Sequence, residues 1–262
     1  MKKLFLITSM LTMLAPLFAQ SSKERSRDKK VERRDRINAI IKQEEEGVIT
    51  YTKHVVFGAK LNTDGYGAFV EIGRARSLRK ALLFQLEISE RKHPKEFKFF
   101  DPNVTIEPIF YGKINYFYPV KLGVQQQFLL GNKGNKNGVS ISGNIGGGVS
   151  LGLLRPYLLQ VRKNGTDTYV GYDSADSTLF LTGPFYAAPN IGTGWNKLKV
   201  VPGLYIKPAL RFDYGKYNEM INAIEVGITA EYYTKEIAQI VYNKPDKFFF
   251  GAFVSVMFGK RK

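Results

Sequence analysis

The chain contains no cysteine and only two histidines, His54 and His93, among its 262 residues. Without cysteine, disulfides, thiol chemistry and a lipid-modified N-terminal cysteine are excluded. Two histidines that form no HExxH pattern are too few for a histidine-based metal cluster. The glycine-rich stretches 132–138 and 146–148 do not lead into a helix that begins with Gly-Lys-Ser/Thr, so they are not phosphate-binding loops. We therefore expect neither a metal nor a cofactor.

Long apolar runs are absent after the first twenty residues. Lys2 and Lys3 precede an apolar run from Leu4 to Phe18, and Ala19 ends an imperfect small-residue cleavage site. This arrangement predicts a signal peptide over residues 1–19. No later stretch approaches 18 uninterrupted apolar residues, so the sequence does not predict membrane-spanning helices. If the exported chain crosses a membrane, it must do so with strands.

The chain has few acids for its many bases, with 39 Lys or Arg against 23 Asp or Glu. Removal of residues 1–19 takes away two lysines and no acid, which leaves 37 basic and 23 acidic residues, or +14. In an exported protein this excess predicts contact with anionic outer-membrane lipid, including lipopolysaccharide, and with acidic protein partners. We do not expect nucleic acid as a partner.

Residues 20–47 are predicted to form a charged periplasmic arm. Nine Lys or Arg and seven Asp or Glu lie between Ser21 and Glu46, with almost no apolar content before Ile37. This composition is compatible with a short helix, and equally with disorder. Gly47 ends the arm, and the pattern then changes from mixed charge to alternation.

Residues 48–262 show the two-residue alternation of strands with one apolar and one polar face, most clearly between Phe248 and Phe258. We predict an all-β fold, an eight-stranded antiparallel transmembrane β-barrel with a short charged N-terminal arm. Pro202 and Pro208 are the weakest point, because proline usually marks an edge strand or a bulge. The predicted strands are 54–62, 66–75, 81–90, 116–130, 139–161, 198–214, 221–234 and 248–258.

The alternative architecture is a soluble β-sandwich or a lipocalin-like barrel, which would bury the apolar face. Charges on the polar face of almost every strand favour the membrane barrel instead. An even number of strands places both termini on one side, which the basic arm and short turns mark as periplasmic. The longer connections 91–115, 162–197 and 235–247 are then expected outside.

On this register four basic and five acidic side chains face the barrel interior. Eight strands enclose a space that side chains fill, whereas open aqueous channels need about 16 strands. Because unpaired buried charge is costly, we interpret the nearly balanced set as an ion-pair plug rather than as a proton or ion path. The set comprises Lys60, Lys121, Lys207, Arg211, Glu71, Glu87, Asp213, Glu225 and Glu231.

His93 is the one candidate catalytic residue. Some small outer-membrane barrels are lipid hydrolases or acyltransferases that use His with Ser and an acid near the outer rim, and His93 lies close in sequence to Ser89, Glu90 and Glu96. The other interpretation is a solvated basic loop that touches lipopolysaccharide phosphates.

The 162–197 connection carries unusually many aromatic residues for an external loop. Such a surface is typical of packing over the barrel mouth or against a partner. The residues predicted to meet a partner are Tyr172, Phe185, Tyr186 and Trp195.

The alternation, the Gly146 to Gly148 strand, the Ser89 to Glu96 segment and the aromatic terminal strand resemble the small eight-stranded outer-membrane barrels of Gram-negative bacteria. Among these the chain is most similar to the uncharacterised Bacteroidota-type barrel proteins, over about residues 48–259. The resemblance implies a place in the cell outer membrane. In many such families the last residue is aromatic, whereas here four residues follow Phe258.

Three functions fit these observations. The leading hypothesis is a non-enzymatic barrel that acts as an accessory or scaffold subunit of an outer-membrane complex for secretion or assembly. The alternatives are a lipid-modifying enzyme that uses His93, and a stand-alone structural or adhesive barrel.

Overall fold

The computed structural model describes residues 31, 34 and 52–262, except 78, 101–107, 135, 136, 164, 174, 184, 191 and 216–218. Apart from residues 31 and 34, the predicted signal peptide and charged arm therefore lie outside the described residues.

Within the described residues the chain forms thirteen strands, one short α-helix and one 3-10 turn. The strands are β1 (Lys53–Asn62), β2 (Gly65–Ser77), β3 (Lys80–Arg91), β4 (Lys98–Phe99), β5 (Ile109–Phe110), β6 (Asn115–Gly131), β7 (Ser140–Pro156), β8 (Leu159–Lys163), β9 (Thr166–Val170), β10 (Phe185–Ala187), β11 (Lys199–Asp213), β12 (Met220–Ile237) and β13 (Asp246–Arg261). The helix α1 spans Ser177–Thr182, and the 3-10 turn spans Trp195–Lys197.

Eight of the strands form a closed antiparallel barrel in the order β1-β13-β12-β11-β7-β6-β3-β2. The first strand pairs with both β2 and β13, from His54 opposite Arg261 to Asn62 opposite Phe253, and this pairing closes the ring. The predicted eight-stranded antiparallel barrel is confirmed. No helix within the described residues is long and apolar enough to cross a membrane.

The two faces of the barrel wall follow from the alternation in the sequence. In β13 the side chains of Phe248, Phe250 and Phe258 are exposed on the outer surface, while Phe253 and Met257 are buried inside. The same alternation of exposed and buried positions runs through the other seven barrel strands. The exterior is apolar and the interior polar, which is the reverse of a soluble barrel.

The structure corrects the predicted end of the fifth barrel strand and shows how the sixth accommodates its two prolines. The fifth barrel strand was expected over 139–161, but β7 ends at Pro156, and Leu159–Lys163 belongs to a separate sheet. Proline donates no hydrogen bond, and the next N–H, that of Tyr157, donates instead to Ile114 O at 2.8 Å. Pro202 and Pro208 point outward, and β11 continues through both.

The two ends of the barrel are built differently. The terminal end carries the first and last strand residues together with the connections 78–79, 132–139 and 214–219. The loop end carries the turn 63–64, the connection 238–245 and the two long connections 92–114 and 157–198. Long loops therefore gather at the end opposite the termini.

The connections at the loop end form a folded cap. Strands β8, β9 and β10 make a three-stranded sheet, and β4 and β5 make a two-stranded one. These elements share a hydrophobic core outside the barrel, which consists of Ile109, Tyr157, Leu159, Val161, Val170 and Phe180. The long connections are thus packed structures.

Gly123 of β6 makes room for a large side chain in the barrel interior. A Cβ atom at Gly123 would lie 2.6 Å from Gly147 O and would also collide with the hydroxyl of the buried Tyr205. Such overpacking typically costs about 1–3 kcal/mol.

We therefore expect Gly123→Ala to lower the unfolding free energy in detergent by about 1–3 kcal/mol, measured by urea titration. Gly143→Ala is the matched control, because its Cβ would meet only the side chain of Leu130, at 3.5 Å. Equal stability of the two variants would contradict this account of the interior packing.

Candidate functional site

The structure places all nine charged residues of the predicted plug in buried positions inside the barrel. Eight of them gather in two clusters, one nearer each end, and Asp213 lies apart at the terminal end. Their partners come from strands that are distant in sequence, such as Glu71 and Arg211.

The cluster nearer the terminal end is centred on Arg211. Its Nη1 and Nη2 donate to the two oxygens of Glu71, both at 2.7 Å, in a bidentate pair. Its Nε and Nη2 also donate to Glu225 Oε2, at 3.0 and 2.7 Å. Lys207 Nζ donates to Glu225 Oε1 at 2.9 Å and to Gln85 at 2.8 Å. The arginine thus makes four hydrogen bonds to two carboxylates.

The cluster nearer the loop end is a chain of alternating charge. Glu87 accepts hydrogen bonds from Lys60, at 2.9 and 3.0 Å, and from Lys121, at 3.1 Å. Lys121 also lies 2.6 Å from Glu231, which accepts a 2.7 Å hydrogen bond from the hydroxyl of Tyr233. The chain continues to Arg91, which pairs with Glu231 at 3.4 Å and with Asp64.

An aromatic layer lies between the two clusters. The ring of Phe253 is 4.0 Å from Lys60 Nζ and 5.2 Å from Lys207 Nζ, which belong to different clusters. Phe69 and Tyr205 are also buried, and their ring centres lie 5.8 Å from Lys207 Nζ and Lys121 Nζ, respectively. The centre of the barrel is therefore filled with rings and paired charges.

The segment after β12 covers the lumen at the loop end. Gln239 O accepts a 2.7 Å hydrogen bond from Ile114 N, and Asn115 Nδ2 donates to Ala238 O at 2.8 Å. Gln239 Nε2 donates to Arg91 O at 3.2 Å, and Val241 N donates to Gly112 O at 2.9 Å. Main-chain and side-chain hydrogen bonds thus fix this segment across the mouth.

The terminal end is open by comparison. A cavity of about 230 Å³ enters the lumen there, and residues of all eight barrel strands or their connecting turns line it. Its inner wall includes Arg211, and Asp213 lies beside it in contact with Arg261 and 3.6 Å from Lys133 Nζ. We call this cavity the basic vestibule.

His93 is held in structural hydrogen bonds at the loop end. Its Nδ1 accepts a 3.1 Å hydrogen bond from Lys95 N, and its Nε2 lies 3.0 Å from Asn243 Nδ2. The backbone N–H of His93 donates to Glu96 Oε1 at 3.1 Å. Glu90 accepts a 2.6 Å hydrogen bond from the hydroxyl of Tyr66 instead. Within the described part of the chain, His93 makes no hydrogen bond to Ser89 or Glu90, so the suggested catalytic grouping is not assembled.

Beside His93, a buried ion pair holds the 92–114 connection. Glu96 accepts a 2.9 Å hydrogen bond from Lys113 Nζ, which lies 4.2 Å from the ring centre of Tyr116. Burial lowers the pKa of Lys113, and Glu96 partly offsets this effect. Burial also raises the pKa of Tyr157 to about 12, and its hydroxyl accepts a 2.9 Å hydrogen bond from Phe110 N. These groups stabilise the cap.

The four predicted partner residues lie in different settings. Tyr172 is partly exposed and packs its ring against Phe180 at 5.9 Å. Trp195 stacks on Tyr118 of the outer barrel wall at 5.8 Å, with Arg155 5.2 Å above its ring. The backbone of Phe185 and Tyr186 forms part of β10. Trp195 thus fastens the cap to the outer wall.

An exposed aromatic surface at the loop end was missed by the sequence interpretation. Phe97, Tyr111 and Tyr242 are 67%, 45% and 76% exposed. Tyr111 N donates to Phe97 O at 3.2 Å, and Val241, next to Tyr242, is hydrogen-bonded to Gly112. These hydrogen bonds place the three aromatic positions next to one another. We call Phe97, Tyr111 and Tyr242 the aromatic ridge.

Neither the protein-family models nor the curated proteins include a match to this chain. Among solved structures, neisserial surface protein A matches with 10% identity and a TM-score of 0.37, covering 81% of this chain and 96% of that one. The N-terminal β-barrel domain of Pseudomonas aeruginosa OprF matches with 9% identity and a TM-score of 0.36, covering 80% and 99%. Ail, the attachment invasion locus protein of Yersinia pestis, matches with 10% identity and a TM-score of 0.35, covering 80% and 97%.

These similarities concern architecture alone. The chain itself forms a single closed ring of eight antiparallel strands. Function must be argued from the residues of this chain.

The ion pairs of Arg211 predict a large effect of its removal. Arg211→Met would leave Glu71 and Glu225 buried without their main partner, which typically costs about 3–5 kcal/mol. We expect a corresponding loss of unfolding free energy in urea, with lower heat resistance on gels. Arg162→Met is the matched control, because Arg162 of β8 pairs with Asp167 of β9 on the exposed surface of the cap, and such pairs contribute about 0–1 kcal/mol. If Arg211→Met were as stable as Arg162→Met, the plug would not support the fold.

His93 predicts a pH dependence of the loop end. Burial lowers the pKa of His93 below its ordinary value of 6.5, and the nearby Glu96, Lys95 and Asp246 also act on it. The unfolded loop therefore takes up a proton at higher pH than the folded loop, and loop stability falls as the pH drops below about 6.5.

We expect hydrogen exchange in residues 91–100 to be faster at pH 5 than at pH 7, after correction for intrinsic exchange. His93→Gln should remove most of this pH dependence. An unchanged pH dependence in that variant would assign it to another group.

Proposed function

We propose that this protein is a non-enzymatic outer-membrane β-barrel, with both termini in the periplasm, that acts as an accessory or scaffold subunit of an outer-membrane complex for secretion or assembly. The observation that carries the proposal is the combination of a filled lumen with an exposed aromatic ridge. A barrel that conducts nothing through its centre acts through its surfaces.

The outer wall supports insertion into a lipid bilayer. Apolar side chains such as Phe57, Leu86, Leu122 and Leu204 are exposed on its outer surface. Apolar surface on this scale is stable only when lipid or protein covers it. Strands cross a membrane without unpaired backbone groups when they close into a ring, as these do.

The difference between the two ends supports the proposed orientation. Bacterial outer-membrane barrels have short periplasmic turns and longer extracellular loops. Here the longer connections and the folded cap lie opposite the termini. The cap then faces outside, while the predicted arm 20–47 and the basic vestibule face the periplasm.

The aromatic ridge supports contact with a protein. Exposed aromatic side chains are enriched at the energetic centres of interfaces. Phe97 and Tyr242 are the two most exposed of the three, and the hydrogen bonds of the backbone beneath them reduce the entropy lost on binding. The ridge is therefore a better interface candidate than Trp195, which already packs against the barrel.

The enzymatic alternative finds less support in the geometry. His93 uses both ring nitrogens in contacts with Lys95 and Asn243. A general base must instead present one nitrogen to the reacting group. The adhesive alternative and the Bacteroidota-type affinity stay predictions from the sequence.

The test is the native mass of the tagged full chain, extracted from its own membranes in a mild detergent, with the co-purifying chains identified. We expect a stable assembly larger than one barrel. The double variant Phe97→Ser with Tyr242→Ser should lower the yield of the partner about tenfold while the barrel keeps its heat resistance, because removal of two central aromatic contacts costs about 1.4 kcal/mol or more.

The control removes two exposed aromatic side chains elsewhere, with Tyr169→Ser and Tyr214→Ser. This variant should retain the partner. A lone monomer from the wild-type membrane would contradict the subunit role, and an equal loss in both variants would remove the ridge as the interface.

A further inference from the structure

The basic vestibule at the terminal end has an excess of positive charge. Its lining includes Arg76, Arg79, Lys80, Arg211 and Arg261, with Asp213 as the one acid among the lining residues. The charges deeper inside are compensated, since Arg211 pairs with Glu71 and Glu225, and Arg261 pairs with Asp213. The excess therefore comes from the rim.

Three basic side chains form that rim. Arg76, Arg79 and Lys80 lie on or beside the turn between β2 and β3, and all three are exposed. None of them has an ion pair with an acid in the described ranges of the chain, and Lys80 lies 5.8 Å from the ring of Phe128. Three uncompensated cations at a cavity entrance attract anions and raise their local concentration.

The wall of the vestibule offers hydrogen-bond donors that the protein leaves unused. Ser140 and Ser142 of β7 are only 4% and 8% exposed, and both line the cavity. Their hydroxyl groups have no hydrogen-bond partner among the residues that the structure describes. Both residues line the cavity, and their hydroxyl groups are open to it rather than enclosed by protein, so they can donate to a polar ligand or to water.

The size and closure of the vestibule limit what can bind. A volume of about 230 Å³ is below the roughly 300–1,000 Å³ of pockets for drug-sized ligands. The pairs of Arg211 with Glu71 and Glu225 close its inner side. The vestibule is therefore a shallow pocket that suits a compact group, not a passage.

We propose that the basic vestibule is a binding site for a compact oxyanion, a phosphate group. Arg76 and Arg79 supply planar guanidinium groups that match phosphate geometry, Lys80 adds a point charge, and Ser140 and Ser142 donate from the wall. The phosphate can come from a free anion or from the headgroup of a phospholipid in the adjoining leaflet, because the rim lies at the end of the barrel wall.

The test is a calorimetric titration of the full chain in a zwitterionic detergent at low salt, first with inorganic phosphate and then with micelles that contain phosphatidylglycerol. Sodium chloride at matched ionic strength corrects for general screening. We expect saturable binding of one ligand per chain. The variant Arg76→Gln with Arg79→Gln should weaken it about tenfold or more, because it removes two charge-assisted hydrogen-bond donors.

The matched control is Lys199→Gln with Lys235→Gln, which removes two exposed positive charges near the loop end. It should bind as the wild type does, and Ser140→Ala should have a smaller effect than the arginine variant. Binding of inorganic phosphate would identify a free anion, and binding of phosphatidylglycerol alone would identify a headgroup.

Two results would overturn the proposal. One is the absence of saturable binding for both ligands, and the other is equal affinity in the arginine variant and the wild type. Heat-modified migration on gels shows whether each variant is folded before titration. Because the rim arginines are exposed and outside the plug, we expect the variant that lacks both of them to fold normally.

Discussion

The structure depends on the pairing of charges inside a closed ring of strands. An eight-stranded barrel with an apolar exterior must place its polar face inward, where water is scarce and an unpaired charge is costly. The inward charges are paired: Arg211 binds both Glu71 and Glu225, and Lys121 bridges Glu87 and Glu231. The strands that carry these residues are thereby tied across the lumen as well as along their edges.

The filled lumen moves the function to the ends and the surface of the barrel. At the loop end, Gln239 is fixed across the mouth by hydrogen bonds to Ile114 and Arg91, and the cap builds a second hydrophobic core above it. At the terminal end the lumen opens into a basic pocket instead. The proposed partner contact and the proposed phosphate site therefore lie at opposite ends of one rigid wall.

The sequence predicts the wall well because each strand carries its own signal. The alternation around Glu225 or Phe250 tells which side chains face inward, whatever the neighbouring strand is. The two prolines are an exception to this agreement. Pro202 and Pro208 were expected to weaken the strand, but both point outward and β11 continues through them. The predicted strand 139–161 extends beyond the observed end of β7 at Pro156, because apolar residues continue past Pro156 into the cap.

The pairings and the surfaces could not be predicted in the same way. Glu71 and Arg211 are 140 positions apart, and alternation does not say which inward charges meet. The aromatic ridge joins Phe97 to Tyr242 through backbone contacts between two loops. The basic vestibule exists only where eight strand ends converge. Each of these features depends on the closed ring and on loop folding, which local patterns do not contain.

The central claim is that the lumen is sealed, so that this barrel works through its surfaces. The most direct measurement is the conductance of the purified full chain in planar lipid bilayers, over a range of voltages and salt concentrations. The account predicts no discrete conductance steps above the bilayer baseline. Stable, reproducible single-channel steps would contradict it and would return the interior charges to the role of an ion path.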